Sequence, residues 1–326
     1  MNIATKKDDF GIDAIDRRII GLLRRDGRMS HLALAEALDI TVTTLRSRLR
    51  RLESSHTLRV VAVTDYRAAG FDLIASTGVI VKGRAVAEVA ADLAALPQVP
   101  NVHIMADVPE IEISVIAHDR AELSTLLNET LLQIPGVHRL DAGVALTVSK
   151  LQWGWVPFLL EEKIALPARL PADKFDALDD RLLDLLTHDA RTSNRELARQ
   201  LNVTEGTIRI RIKRLLDDGV IRITAISSAH RLGHPVTAML WIDVDAGAQL
   251  KPVAKTLAAN PQIYYVATML GRCDVLAITL VESAEQLADF IHREIDPVAG
   301  VNRVRYTLST QYLKHDYHWT LILPKS

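Results

Sequence analysis

The chain has 326 residues, of which 48% are hydrophobic and 24% charged, and these values predict about two globular domains. The formal net charge of −1 argues against a protein that coats DNA through overall positive charge. A local basic surface that binds DNA remains compatible with this net charge. Cys273 is the only cysteine, which excludes an internal disulfide, and the chain lacks the run of about 18 apolar residues that a membrane span needs. We therefore expect a soluble, cytoplasmic protein with no membrane partner.

The sequence repeats itself along most of its length. Residues 16–20 recur at 179–183, and the match continues at the same offset, so that Arg28 falls on Arg191. After one inserted residue the match resumes, with Lys150 over Lys314. A constant register over such a distance indicates a tandem duplication rather than chance similarity between helices.

Each copy is predicted to hold two domains, with a proline-stiffened linker between the copies. The predicted boundaries are a first helix-turn-helix domain at 10–59, a first sensing domain at 60–156, a linker at 157–175, a second helix-turn-helix domain at 176–222 and a second sensing domain at 223–326.

The first part of each copy has the pattern of three helices. Ser30 and Thr41 are N-cap residues that begin the second and third helices, and Leu45, Leu49 and Leu52 form the inward face of the third. The other face of this helix, and of its counterpart in copy two, is made of hydroxyls and cationic groups, which suits entry into the DNA major groove. The predicted DNA-binding residues are Thr41, Thr43, Thr44, Arg46, Ser47, Arg48, Arg50, Arg51, Thr204, Thr207, Arg209, Arg211, Lys213 and Arg214.

A solvated basic face on an ordinary helix pair is the alternative interpretation, and it stays open here. So does the pairing of the recognition helices. Pairing within one chain would require an asymmetric operator, because Val42-Thr43-Thr44 and Glu205-Gly206-Thr207 cannot read the same bases, whereas pairing between chains would give palindromic sites.

The second part of each copy alternates strands and helices in the order βαββαβ, typical of a ferredoxin-like fold with helices on one side of an antiparallel sheet. The fold class is therefore α+β: two copies of a winged, three-helix helix-turn-helix domain followed by a ferredoxin-like ligand-sensing domain. The open sheet face needs a second sheet, from the other copy or from another chain, so a homo-oligomer (dimer or tetramer) formed through these domains is expected.

This arrangement resembles the Lrp/AsnC (feast/famine) transcriptional regulators. The matching residues are the opening helix around 179–191, the run from Leu197 to Leu215, and the turn Gly271-Arg272-Cys273-Asp274. The resemblance implies double-stranded DNA and an amino acid or related carboxylate effector as partners, with no cofactor, no metal and no enzymatic activity. The effector-binding residues that it implies are Thr268, Gly271, Arg272 and Asp274.

Copy one departs from the family pattern at this turn. Asp107 stands where copy two has Gly271, and Pro109 and Glu110 stand where it has Cys273 and Asp274. Glycine gives a turn backbone freedom and close approach to a ligand, so effector sensing is expected to be confined to copy two. The alternative is that Gly271 serves only a tight hairpin turn.

Two enzymatic interpretations remain to be weighed. Siroheme decarboxylases resemble this family and include two-copy forms, so a decarboxylase on the same scaffold is the alternative function. A metal role for His230 with His234, or for His315 with His318, would need further ligands, and surface histidines are the expected assignment.

Overall fold

The computed structural model describes residues 11–151, 155–156, 174–233, 236–316 and 319–320. They fall into two compact units, one made of residues up to 70, 155–156, 174–233 and 319–320, and the other of residues 71–151 and 236–316. Each unit therefore contains one part from each copy. The boundaries predicted from the sequence treated every such part as a separate domain. Most of the predicted linker, residues 157–173, lies outside the described residues, as do His234 and His318.

Copy one begins with three helices and a strand and continues with a βαββαβ series, as its sequence pattern predicted. Its elements are α1 (Ala14–Arg25), α2 (His31–Leu38), α3 (Val42–Ser54), β1 (Leu58–Asp65), β2 (Leu73–Val81), α4 (Val86–Ala94), β3 (Asn101–Met105), β4 (Ile111–Ala117), α5 (Arg120–Thr125, extended by a π turn to Thr130 and a 3-10 turn to Gln133), β5 (Val137–Leu151) and the short β6 (Trp155–Val156).

Copy two repeats this order. Its elements are α6 (Ala177–His188), α7 (Asn194–Leu201), α8 (Glu205–Asp217), β7 (Ile221–Ser228), β8 (Val236–Val244), α9 (Leu250–Ala259), β9 (Ile263–Leu270), β10 (Val275–Val281), α10 (Ala284–Phe290, extended by a π turn to Ile295), β11 (Val301–His315) and β12 (Trp319–Thr320). None of the described helices is long and apolar enough to cross a membrane.

Side-chain caps fix where the helices of the first unit begin. Ser30 accepts a hydrogen bond from the Ala33 amide, and Thr41 accepts one from the Thr44 amide, which satisfies donors that have no partner inside the helix. Copy two uses Ser193 in the same way, so both helix-turn-helix motifs start from equivalent caps.

The two helix-turn-helix copies share one sheet. Strands β1 and β7 pair antiparallel from Leu58 opposite Ser227 to Thr64 opposite Ile221, and β12 and β6 flank them in the order β12-β1-β7-β6. Apolar residues of both copies, including Leu45 and Ile208, bury into one core. The two helix-turn-helix copies therefore pair with each other within one chain.

The second unit is a closed eight-stranded barrel in the order β10-β8-β11-β3-β4-β2-β5-β9. Each βαββαβ series supplies half of it, and the halves join where β5 pairs with β9 and where β11 pairs with β3. The second sheet required by the open face thus comes from the other copy. The sheet surface through which a homo-oligomer was expected is therefore covered within one chain. The homo-oligomer itself stays a prediction.

Two histidines lie in the wall of the barrel. His103 on β3 is buried, and its ring lies edge-on to that of Tyr312, with the centroids 4.6 Å apart. Burial, reinforced by the neighbouring His315, lowers the pKa of His103 to about 3. Burial also lowers the pKa of His315 to about 4, against the opposing charge of Asp316, and His315 as a whole is partly exposed.

We predict that acid weakens the barrel through these imidazoles. In the unfolded chain a histidine has a pKa near 6.5, so the unfolded state binds a proton at pH values where folded His103 remains neutral. The free energy of unfolding therefore falls as pH drops from 6.5 toward 3. In urea titrations between pH 7 and pH 4, His103→Gln should reduce the pH slope of the unfolding free energy by about 1.4 kcal/mol per pH unit below pH 6. The same change at the exposed His138 provides the control and should leave the pH slope as in the wild type. Equal slopes for the wild type and His103→Gln would contradict the prediction.

Candidate nucleic-acid interface and effector turn

The outer face of α3 presents short hydroxyl side chains at its start and arginines further along. The hydroxyl oxygens of Thr41 and Thr44 are hydrogen-bonded at 2.9 Å beside the helix start. The exposed side chains that follow are Thr43, Arg46 and Ser47, and Arg50 one turn further along the helix. These side chains have the reach and the donors that base edges and phosphates require. They form a contiguous outward strip on one helix.

The outer face of α8 has the same frame with different chemistry. Thr204 and Thr207 repeat the hydroxyl pair at 2.9 Å, and Arg209 is exposed like Arg46. Ile210 is 68% exposed where copy one has Ser47, and Lys213 binds the Asp217 carboxylate of its own helix. The two outward faces are therefore related but unequal.

Four of the predicted DNA-binding arginines point instead to the start of the first helix of their own copy, α1 or α6. Arg48 Nη1 lies 2.7 Å from Asp13 Oδ2 and 2.9 Å from Asp16 Oδ1, and Arg51 binds the other Asp16 oxygen. Asp16 is fully buried, so its carboxylate depends on these partners. Burial opposes ionisation of Asp13, but hydrogen bonds from the Asp16 amide and from Arg48 hold the pKa of Asp13 below its usual value.

Copy two repeats this ion-pair network. Arg211 Nη1 lies 2.8 Å from both Asp176 Oδ1 and Asp179 Oδ1, and Arg214 also binds Asp179. The Arg211 hydrogen bond lowers the pKa of Asp176. These four arginines therefore have carboxylate partners within the protein and a structural role, and their assignment to DNA stays a prediction. The repeat already carried the signal, since Asp16 and Asp179 recur with the arginines.

A reciprocal arginine contact joins the two helix-turn-helix copies, and sequence reasoning missed it. Arg28 donates from Nε to the Ala190 carbonyl at 2.8 Å and from Nη1 to Asn194 Oδ1 at 2.8 Å. Its counterpart Arg191 donates to the Gly27 carbonyl at 2.9 Å in return. These equivalent residues bind the opposite copy, which fixes one motif against the other.

The expected effector residues surround the turn between β9 and β10. Gly271 has φ +123°, and a Cβ there would lie 2.8 Å from the Ala142 carbonyl oxygen of β5, so close approach of two backbones requires glycine. Asp274 Oδ2 accepts a hydrogen bond from the Val244 amide at 2.7 Å. In copy one Glu110 accepts from the equivalent Val81 amide at 3.1 Å, so both acidic residues cap a strand end.

The side chain of Arg272 is almost fully enclosed. Its side chain is 3% exposed, and Nη1 lies 2.8 Å from each carboxylate oxygen of Glu112, a β4 residue of the other copy. The guanidinium carbon lies 4.6 Å from the ring centre of Trp241. Thr268, 6% exposed, has its hydroxyl 3.5 Å from the Thr147 carbonyl oxygen. The turn residues therefore come together, but with partners inside the protein, and sequence reasoning missed Glu112.

Burial raises the pKa of Glu112, and Arg272 and the Ser76 hydroxyl, which donates to Oε1 at 2.5 Å, oppose that rise. Burial also raises the pKa of the neighbouring Cys273 thiol to about 12, so this sulfur stays protonated and does not serve as a nucleophile near neutral pH.

Comparison with known proteins agrees with this geometry. Residues 12–59 and 175–222 match the model of winged helix-turn-helix DNA-binding domains. Residues 75–152 match the Lrp/AsnC ligand binding domain, and residues 233–322 match a C-terminal dimeric alpha+beta barrel domain. The fold and site thus define a winged helix-turn-helix protein with an Lrp/AsnC-type α+β barrel. The chain belongs to the Lrp/AsnC family.

Curated relatives correspond to one copy of the repeat. An uncharacterized HTH-type transcriptional regulator of Pyrococcus furiosus is 32% identical over 145 residues, which cover 44% of this chain and 97% of that protein. The HTH-type transcriptional regulator Ptr1 of Methanocaldococcus jannaschii is 30% identical over 140 residues, which cover 43% of this chain and 94% of that protein.

A solved structure of a siroheme decarboxylase matches both copies together. The siroheme decarboxylase NirDL superposes with a TM-score of 0.62 and 17% identity over 92% of each chain. At this identity the likeness concerns the fold alone, and it shows that the tandem architecture of this chain has a precedent.

We predict that Arg48 and Arg50 have separable roles. Removing Arg48 deprives the nearly buried Asp13 and Asp16 of a partner, so Arg48→Ala should cost roughly 2–3 kcal/mol in the unfolding free energy. Arg50 is exposed on the same helix, and Arg50→Ala should stay within about 0.5 kcal/mol of wild type. Urea denaturation measures both, and equal stability losses would contradict the structural role of Arg48.

Proposed function

We propose that the chain is a sequence-specific DNA-binding transcriptional regulator that reads one duplex with two unequal recognition helices, α3 and α8. The observation that carries the proposal is that both helices belong to one compact unit and keep outward faces with hydroxyl and cationic side chains. The family models at 12–59 and 175–222 and the regulators among the relatives support it.

The proposed contact set is smaller than the sequence suggested. It consists of outward side chains that do not bind the aspartates of α1 and α6, and it excludes Arg48, Arg51, Arg211 and Arg214. The retained residues are Thr41, Thr43, Thr44, Arg46, Ser47 and Arg50 on α3, and Thr204, Thr207, Arg209 and Lys213 on α8. Ile210 joins them, because an exposed aliphatic side chain can contact a thymine methyl group.

We predict that the outward arginines bind phosphate. Replacing Arg46 and Arg50 together with alanine should weaken binding to every sequence and reduce the slope of log K against log salt by roughly two units. The matched control is the exposed Arg120 of the barrel, whose change to alanine also removes positive charge, and which should leave the slope unchanged. Unaltered binding after the same treatment of Arg209 and Lys213 as well would refute the proposed interface.

We also predict an asymmetric operator. The two half-sites face different side chains, Thr43 and Ser47 on α3 against Gly206 and Ile210 on α8, and intrachain pairing places both on one molecule. Selection from random duplexes followed by footprinting should return two unlike half-sites about one helical turn apart. A perfectly palindromic consensus would show that recognition helices pair between chains.

We further propose that the barrel takes a small effector, an amino acid or related carboxylate, because residues 75–152 match the family's ligand-binding model. A ligand that used Arg272 would have to displace Glu112, and one that used Asp274 would have to break its bond to the Val244 amide. Calorimetry with a panel of amino acids and carboxylates tests this part. A ligand shifts DNA binding only by its difference in affinity between two conformations.

The second candidate is a siroheme decarboxylase-like enzyme, and the observation that favours it is the 92% coverage of both chains in the superposition on NirDL. Absorption spectra recorded during titration with siroheme separate the two candidates. A stoichiometric spectral shift, followed by loss of carboxylate from the tetrapyrrole, would favour the enzyme. Sequence-specific retention of DNA without such a shift supports the regulator.

A further inference from the structure

We infer that Glu112 is a built-in carboxylate ligand of the copy-two turn: the chain itself supplies the group that Arg272 would otherwise take from a free effector. This inference rests on the proposed function only for its consequence in regulation. Its structural part concerns one buried site within the barrel unit, formed by Arg272, Glu112, Ser76 and Trp241 and called here the Arg272 site.

The Arg272 site has the geometry of a ligand complex. Both carboxylate oxygens of Glu112 lie 2.8 Å from Arg272 Nη1, and the Ser76 hydroxyl donates to one of them at 2.5 Å. Trp241 covers the guanidinium with its ring. A buried carboxylate needs an oppositely charged partner and further hydrogen bonds to remain ionised, and this one has both.

The backbone around the site is shaped to admit the arginine. A Cβ at Gly78 would lie 3.0 Å from Arg272 Nη2, and a Cβ at Gly143 would lie 3.1 Å from Arg272 Cγ. Both glycines belong to copy one, and Arg305 of copy two donates to the Arg272 carbonyl at 2.6 Å. A side chain at Gly143 would compete with the Arg272 side chain for this space, and one at Gly78 would compete with both Arg272 and Pro109.

The pair occurs only once in the pseudosymmetric barrel. The position of Arg272 is held in copy one by Val108, 62% exposed, and the position of Glu112 is held in copy two by the buried Leu276. In a symmetric homodimer these positions would carry identical residues in both halves. A symmetric homodimer with this pair would therefore form it twice, whereas the duplicated chain forms it once.

The consequence is that the copy-two turn is held in one conformation without a free ligand. A free effector then binds elsewhere in the barrel, because Arg272 is already paired with Glu112 and Asp274 with the Val244 amide. The ligand class of the emptied site follows from the atoms removed: Glu112→Ala deletes a CH2–COO⁻ group, which corresponds to acetate.

The test is rescue of Glu112→Ala by acetate. Glu112→Ala removes the main counterion of Arg272 and leaves only the longer contact of Nε with Asp141 Oδ2 at 3.4 Å. This loss should lower Tm by roughly 6–20 °C, and sodium acetate at tens of millimolar should restore much of it. Sodium chloride at the same ionic strength is the salt control. Glu112→Gln is the matched variant, because its amide fills the space and should give no acetate rescue.

An equal Tm shift with acetate in the wild type, Glu112→Ala and Glu112→Gln would overturn the inference, as would wild-type stability of Glu112→Ala without acetate. If Glu112→Ala does not fold alone, its refolding yield after dilution from urea is measured with and without acetate. A yield that rises only with acetate supports the inference, and a yield that acetate leaves unchanged overturns it.

Operator binding provides the regulatory readout. A carboxylate that changes the operator affinity of the wild type but not of Arg272→Leu would show a free ligand displacing Glu112, and would overturn the inference. Absence of operator binding in every variant, together with acetate rescue of Tm, would reject the proposed DNA function and leave the assignment of Glu112 standing.

Discussion

Unpaired strand edges are the constraint on which this structure depends. Each βαββαβ half would leave backbone donors and acceptors open along β3, β5, β9 and β11, and an open edge invites pairing with another chain. The ladders β5–β9 and β11–β3 satisfy these groups with the other half of the same polypeptide. The position of one copy against the other within the barrel follows from this pairing, and so does the burial of Arg272 against Glu112.

Joining the copies in one chain releases them from identity. The residues that maintain the fold remain paired across the repeat: Asp16 with Asp179, Arg28 with Arg191, and Glu110 with Asp274 as caps of equivalent strands. The residues that differ lie on outward helix faces and inside the barrel. Ser47 on α3 corresponds to Ile210 on α8, and Glu112 in copy one corresponds to Leu276 in copy two. Duplication thus kept the scaffold and diversified two surfaces.

The repeat and the periodicity of apolar residues were enough to predict the elements, the α+β class and the family, because these depend on local sequence. Intrachain pairing could not be predicted, since two edges of identical chemistry pair equally well within or between chains. The roles of Arg48 and Arg272 were missed for a related reason. An arginine pattern on a helix or a turn does not show whether a buried carboxylate distant in sequence, such as Asp16 or Glu112, already binds it.

The ladder between β1 and β7 has a consequence for gene dosage. Regulators assembled from separate subunits bind an operator with an occupancy that depends on their dimerisation constant as well as on their affinity for DNA. Here the two helix-turn-helix domains are linked covalently and by the ladder that joins β1, from Leu58 to Thr64, to β7. Their concentration relative to each other therefore does not depend on the amount of protein in the cell. Under the proposed binding of one operator by one chain, occupancy at low protein concentration rises with the first power of that concentration.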